Sequence, residues 1–202
     1  MPRWVRLPPG EAPGSAIAEA RDVLAGGGVV VLPTETLYAL AADATNPGAV
    51  DRVLELKRRP PESPIALIIP DWQAMIPLAW PPPPLCLELL KAHWPGPLTA
   101  VLQARGRLHP ALVSEDGGVG MRISPHPVAG GVARALGRPL TATSANISGH
   151  PPPAQPNDLH PEIINGVDLV IDAGPCPGGP PSTVADLRAW PPRVLRPGAV
   201  KL

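Results

Sequence analysis

Two short polar stretches carry the densest chemistry in this chain. Lys57-Arg58-Arg59 sets three cations in a row, with Lys57 and Arg59 two positions apart. Such a pair suits phosphate oxygens, since arginine offers a planar fork and lysine a mobile point charge. The same run also suits a solvated helix end, where the dipole favours positive charge. Thr141-Ala142-Thr143-Ser144-Ala145-Asn146-Ile147-Ser148-Gly149 is small and rich in hydroxyls. Small residues let a substrate approach the backbone, and Ser144 and Asn146 can donate to phosphate oxygens. A third stretch, Pro33-Thr34-Glu35-Thr36-Leu37-Tyr38, directly follows four aliphatic residues. That is the carboxyl end of a strand, where α/β sheets bind ligands. Arg122, between Met121 and Ile123, suits a carboxylate if its strand lines a cleft, and is an ordinary surface arginine if it does not. Ser182-Thr183-Val184 and Arg196-Pro197-Gly198 add a hydroxyl and a cation near the end of the chain.

The elements that must position these residues follow from periodicity and punctuation. Ser15 reads as the N-cap of a helix carrying Ile17, Ala20 and Leu24, ended by Gly26-Gly27-Gly28. Val29 to Leu32 reads as a buried strand closed by Pro33. Asn46-Pro47 gives an N-cap and a first helical residue, and Pro60-Pro61 stops that helix just after Lys57-Arg58-Arg59. Strands are expected over 65–69, 98–102, 119–123, 140–143, 167–171, 183–187 and 194–195, and helices over 85–93, 128–136 and 158–164. Trp94-Pro95-Gly96-Pro97 is a turn fixed by its prolines. Strands and helices are interspersed without strict alternation, which predicts an α/β fold on a twisted mixed sheet. No internal repeat or long linker divides residues 1–202, so a single domain is expected.

Composition narrows the function. Seventeen basic residues balance seventeen acidic ones, and aromatic residues make up 3%. A broad electrostatic grip on nucleic acid normally needs a basic chain, so tight sequence-independent RNA binding is not expected. Cys86 and Cys176 form no CxxC pair, and the five histidines show no metal-ligand spacing. No resident metal is therefore expected. No apolar run approaches the roughly 20 residues of a membrane span, which points to a soluble, cytoplasmic protein without a membrane partner. The 33 prolines sit between periodic segments and read as loop stiffeners. GxxxxGK[ST], the dinucleotide fingerprint and GxSxG are all absent, so any nucleotide is held by another design and no nucleophile elbow is available.

The ordered set PTETLYAL, KRRP with Pro64, WPGPLT, an arginine strand running into His126-Pro127, TSANISG, STVADL and LRPG resembles the YrdC-like family of threonylcarbamoyl-AMP synthases. The likeness runs from about residue 15 to residue 200, in the family's short single-domain form. It implies a concave cationic groove. It also implies a signature Lys-x-Arg and Ser-x-Asn set, here Lys57, Arg59, Ser144 and Asn146, for catalysis and ATP binding. Thr34, Arg122 and Ser182 are implied to bind L-threonine, and Arg196 to serve the nucleotide. Ala39 stands where the family has glycine, a change expected to tighten the loop after the tyrosine. Ser124 stands where it has proline.

The implied reaction joins L-threonine, bicarbonate and ATP, with Mg²⁺ on the ATP phosphates, to give threonylcarbamoyl-AMP and pyrophosphate for a tRNA modification. Its product would pass to a downstream threonylcarbamoyl-transferase machinery, with room left for a tRNA contact that is not tight. On this basis Lys57→Ala is expected to abolish activity while leaving the melting temperature within a few degrees, and Thr34 to offer its hydroxyl to substrate. The alternatives are a YciO-like paralogue without synthase activity, a carbamoyl-transfer domain of the hydrogenase-maturation type, and a module that binds nucleotide or double-stranded RNA.

Overall fold

The computed structural model describes residues 1–59 and 63–202. The strands are β1 (Arg3–Arg6), β2 (Val30–Pro33), β3 (Tyr38–Ala41), β4 (Leu67–Ile68), β5 (Leu98–Gln103), β6 (Gly118–Arg122), β7 (Leu140–Thr141), β8 (Thr143–Ser144), β9 (Leu169–Asp172), β10 (Thr183–Asp186) and β11 (Arg193–Arg196). The α-helices are α1 (Gly14–Ala25), α2 (Pro47–Lys57), α3 (Pro84–His93), α4 (Pro127–Leu136) and α5 (Pro161–Gly166). The class is the expected mixed α/β one, and the strands divide between two sheets. The first has the order β1-β9-β2-β3-β8 and the second β11-β10-β5-β6-β4-β7. Each contains parallel and antiparallel pairs.

Side-chain alternation assigns the faces of the first sheet. Val30, Leu32, Ala39 and Ala41 pack with Ala16, Ala20 and Leu24 of α1 and with Val128, Val132 and Ala133 of α4. The opposite face, Val29, Val31, Tyr38 and Leu40, joins a larger core with Leu98, Ala100 and Met121 of the second sheet, Val50 and Val53 of α2, and Ile163 of α5. This period-two division is what a strand buried on both sides requires.

The stretch 140–143, expected as one strand, is shared between the sheets. Thr141 pairs with Leu67 in the second sheet, and Thr143 pairs with Leu40 in the first. Ala142, between them, donates its N–H to Ala66 O at 2.7 Å. The hydroxyl-rich run is therefore a seam between two sheets, with its polar side chains held at their junction.

Several other expectations are corrected. Ser15 does not cap α1: the helix begins at Gly14 after Pro13, with no side-chain cap bond. β1 and β3 have no counterpart among the expected strands, and Ala39 lies within β3, paired with Leu32 and Ser144, and not in a loop. Alanine favours strands weakly, so only burial on both faces and cross-strand pairing bring Tyr38–Ala41 into the sheet. Asn46 caps α2 as expected, its side chain accepting from Ala49 N, with Pro47 at the first turn. Pro60 and Pro61, the expected helix stop, lie outside the described residues. The helix already ends at Lys57, where Arg58 takes a left-handed φ of 48°. His109, His126 and His160 each precede a proline, and each accepts the backbone N–H two residues on. Those three histidines are local caps.

Candidate functional site

A cavity of about 490 Å³ opens where the two sheets meet, lined among others by Thr34, Arg59, Arg122, Ser144, Ser182 and Arg196. Six of the eight residues singled out from the sequence thus share one space. Lys57 and Asn146 stand behind its wall.

Lys57 ends α2 and is 2% exposed. Its Nζ donates to Ser144 O at 2.6 Å, to Asn146 O at 2.8 Å and to Asn146 Oδ1 at 3.1 Å. Three ammonium protons thus meet three oxygens, which fills the donor capacity of the side chain. Asn146 Oδ1 also accepts from Ser144 Oγ, while Asn146 Nδ2 donates to Ile147 O at 3.0 Å and to His150 O. The direct phosphate contact expected of Lys57 and Asn146 is not what this geometry offers. The pair instead ties the end of α2 to the loop after β8 and fixes where Ser144 stands. Burial, and then the charge of Arg59, push the Lys57 ammonium from its usual 10.5 down to about 7.

The left-handed turn at Arg58 sends Arg59 away from its helix and into the cavity. Arg59 donates Nε to Ser63 O at 2.6 Å, Nη2 to Pro64 O at 2.9 Å and Nη1 to Thr143 Oγ1 at 3.3 Å. Burial and then the charge of Arg196 lower its pKa, and burial and then Arg122 lower that of Arg196. Three guanidinium groups therefore sense one another around a single space. Arg196, on β11, donates Nη2 to Ser182 O at 2.8 Å and to Ser182 Oγ at 3.3 Å. Ser182 Oγ in turn shares a hydrogen bond of 3.0 Å with Thr99 Oγ1.

Arg122 sits at the end of β6 with its side chain 7% exposed. Its Nε donates to Glu35 Oε1 at 2.7 Å. No other side-chain hydrogen bond of Arg122 is found among the described residues, so its terminal nitrogens are left for whatever enters the cavity. Glu35, between two threonines of the sequence, is not among the candidate site residues expected above. Its partner lies 87 positions away, and nothing local announces the pairing. Thr34 is corrected in one respect. Its hydroxyl donates to Leu37 O at 2.7 Å and accepts from Thr36 N and Leu37 N, both at 3.2 Å. It builds the turn after β2, and its proton is already given to that turn.

Among the described residues no group of three or more His, Cys, Asp or Glu side chains could hold a metal ion. Asp116, which lines the cavity, is engaged with Arg188, and Glu35 is engaged with Arg122. The donor set suits anions, and a divalent ion here would be carried by the phosphates of a ligand. No helix of the described residues is long and apolar enough to cross a membrane.

Residues 22–198 match the family model Sua5/YciO/YrdC, described as telomere recombination. A threonylcarbamoyl-AMP synthase of Pyrococcus abyssi is 37% identical over 179 residues, which cover 87% of this chain and 52% of that protein. One from Stenotrophomonas maltophilia is 35% identical over 164 residues, covering 78% of this chain and 84% of that protein. The crystal structure of Pyrococcus abyssi Sua5 complexed with L-threonine superposes with a TM-score of 0.90 at 33% identity, over 96% of this chain and 57% of that one. The chain thus spans about half the length of the archaeal relative and most of the bacterial one. With the model covering nearly all of its length and relatives above 30% identity across more than three quarters of it, the chain belongs to the Sua5/YciO/YrdC family.

Proposed function

We propose that this protein is an L-threonylcarbamoyladenylate synthase, making threonylcarbamoyl-AMP and pyrophosphate from L-threonine, bicarbonate and ATP. The product serves N6-threonylcarbamoyladenosine modification of tRNA through a separate transferase. The observation that carries this reading is the set of three guanidinium groups, Arg59, Arg122 and Arg196, around one cavity, with Arg122 paired to Glu35. Relatives that bear the synthase name, and one solved with L-threonine, support it.

The chemistry asks for such a site. The threonine amine adds to bicarbonate-derived CO₂ and loses a proton, giving a carbamate. A carbamate oxygen then bonds to the α-phosphorus of ATP as the bond to the β-phosphate oxygen breaks, and pyrophosphate leaves. Two anions must be held in line, so fixed positive charge and geometry supply the catalysis. Arg59 and Arg196 suit the phosphates, and the open terminal nitrogens of Arg122 suit the threonine carboxylate. Ser144, held by Lys57 and Asn146, suits the α-phosphate or the carbamate. Mg²⁺ arrives on the ATP phosphates as part of that substrate. No covalent enzyme intermediate is needed. The test is to incubate the protein with ATP, Mg²⁺ and bicarbonate, with and without L-threonine, and follow pyrophosphate. Release that does not depend on threonine overturns the proposal and favours a paralogue or a binding module.

Arg122→Lys is expected to raise the threonine KM by about ten- to hundredfold, with little change for ATP. A charge-assisted bond to a carboxylate is typically worth ~1.5–3 kcal/mol, and an ammonium cannot reproduce the fork. Lysine keeps a cation beside Glu35, which alanine would leave unpaired. Equal weakening of ATP and threonine would assign the arginine to the fold.

Lys57 predicts a pH effect with two opposite signs. The unfolded chain keeps this proton to about 10.5, and the folded one releases it near 7. Between those values the unfolded state binds more protons, so this group makes stability rise with pH. Over the same range the amine loses one of the three protons that hold the Ser144 loop. Turnover should therefore fall as pH rises from 7 towards 10, while the melting temperature of the wild type gains relative to Lys57→Met. A rate profile that is flat over that range would show that the third contact is dispensable.

A further inference from the structure

We infer that Ser124 is a positioning residue for Arg122, acting through Glu35 to keep the terminal guanidinium nitrogens open to a substrate carboxylate. The inference rests on the proposed role of Arg122 toward threonine. Glu35 is gripped from two sides: Arg122 Nε donates to Oε1 at 2.7 Å, and Ser124 Oγ donates to Oε2 at 2.5 Å. Its side chain is 11% exposed, that of Arg122 7%, and Ser124 only 1%. The serine cannot easily drift. Its hydroxyl accepts from His126 N at 3.2 Å, and α4 packs so closely that a Cβ on Gly130 would lie 2.6 Å from Ser124 O.

An arginine beside a carboxylate tends to form a two-pronged pair, with both oxygens on the fork. If Glu35 did so, it would occupy terminal nitrogens that a ligand carboxylate needs. The Ser124 hydroxyl draws Oε2 aside, so the pair remains single-pronged on Nε. The carboxylate then orients the guanidinium without consuming its outer edge.

Ser124→Ala and Ser124→Thr test the inference, each followed by steady-state kinetics and a crystal structure. In the alanine variant Glu35 should rotate to place both oxygens on Arg122. The threonine KM should rise about three- to tenfold, the loss of one modest hydrogen bond. The ATP KM and kcat should stay near wild type, and threonine at position 124, which restores a hydroxyl, should restore the threonine KM. Glu35 keeping its single-pronged contact in Ser124→Ala overturns the inference, whatever the kinetics. So does a rise in the ATP KM in step with that for threonine. A wild-type chain with no threonine-dependent turnover would instead sink the proposed reaction, and the Glu35 geometry of the variant would still decide the inference.

Discussion

Lys57→Ala is expected to lower threonine-dependent pyrophosphate release by at least ~100-fold and to lower stability as well. The sequence alone suggests a cation near a helix end whose loss the fold would hardly notice. The structure reverses the second half of that expectation, because Nζ is the hub for Ser144 O, Asn146 O and Asn146 Oδ1. Truncation strands three oxygens in a buried place. An unsatisfied buried acceptor costs ~1–3 kcal/mol, part of which water recovers by entering the space. A net loss of about 2–4 kcal/mol would shift the melting temperature by on the order of 5–15 °C in a chain of this size. Assays run well below the lowered transition separate the two effects. If folded Lys57→Ala protein turned over at a near-normal rate, the Ser144 loop would not need the lysine.

Gly198→Ala should be nearly as damaging, although glycine to alanine is usually a mild change. A Cβ at this position would lie 2.2 Å from Pro181 O and 2.6 Å from both Ser182 C and Thr183 N, all of them backbone. None of these can yield as a flexible side chain would. The contact is also where Ala199 N donates to Pro181 O at 2.9 Å, and where Thr183 Oγ1 both donates to Val200 O and accepts from Val200 N. Forcing the strands apart costs about 1–3 kcal/mol by the usual penalty for overpacking. It should also pull Arg196 from Ser182 and raise the ATP KM at least about tenfold. Gly48→Ala is the matched control. Its Cβ would meet only Asn46 Oδ1 at 3.6 Å, inside α2, so it should be neutral or slightly stabilising. A Gly198→Ala variant that melts and binds ATP like the wild type would show that β11 can move aside without consequence.

These two residues also show what can be read from a sequence. Asn46-Pro47 announces its helix, because capping chemistry is local. The membership of Lys57, Arg59, Ser144 and Asn146 in one cluster was legible only through resemblance, since residues 87 positions apart leave no spacing signal. What Lys57 does there was not legible at all. Two of its three acceptors are backbone carbonyls, which every residue carries. β3 is not legible because its alanines carry no strand preference and its Tyr38 closes a stretch that is polar in pattern. Tyr38 in fact anchors the sheet, donating its hydroxyl to Gly174 O at 2.6 Å. Arg196-Pro197-Gly198 shows its cation in the sequence, while its glycine answers to a backbone that no local pattern reveals.

The sharing of residues 140–144 between the sheets has a consequence for how the molecule assembles and comes apart. The first sheet draws β1, β2 and β3 from the start of the chain and β8 and β9 from its later half, while the second takes its strands from between and after them. Neither sheet is a continuous piece of sequence. A cut at any loop between β4 and β8 would therefore leave two fragments, each holding part of the first sheet and part of the second. Neither fragment should hold structure alone, and mixing them should be required to recover it. Unfolding of the intact chain should appear as one cooperative loss, with the amides of Thr141 and Ala142 among the last to exchange with solvent. The closure of such distant pairings makes folding slow, as sheets built from far-separated strands are.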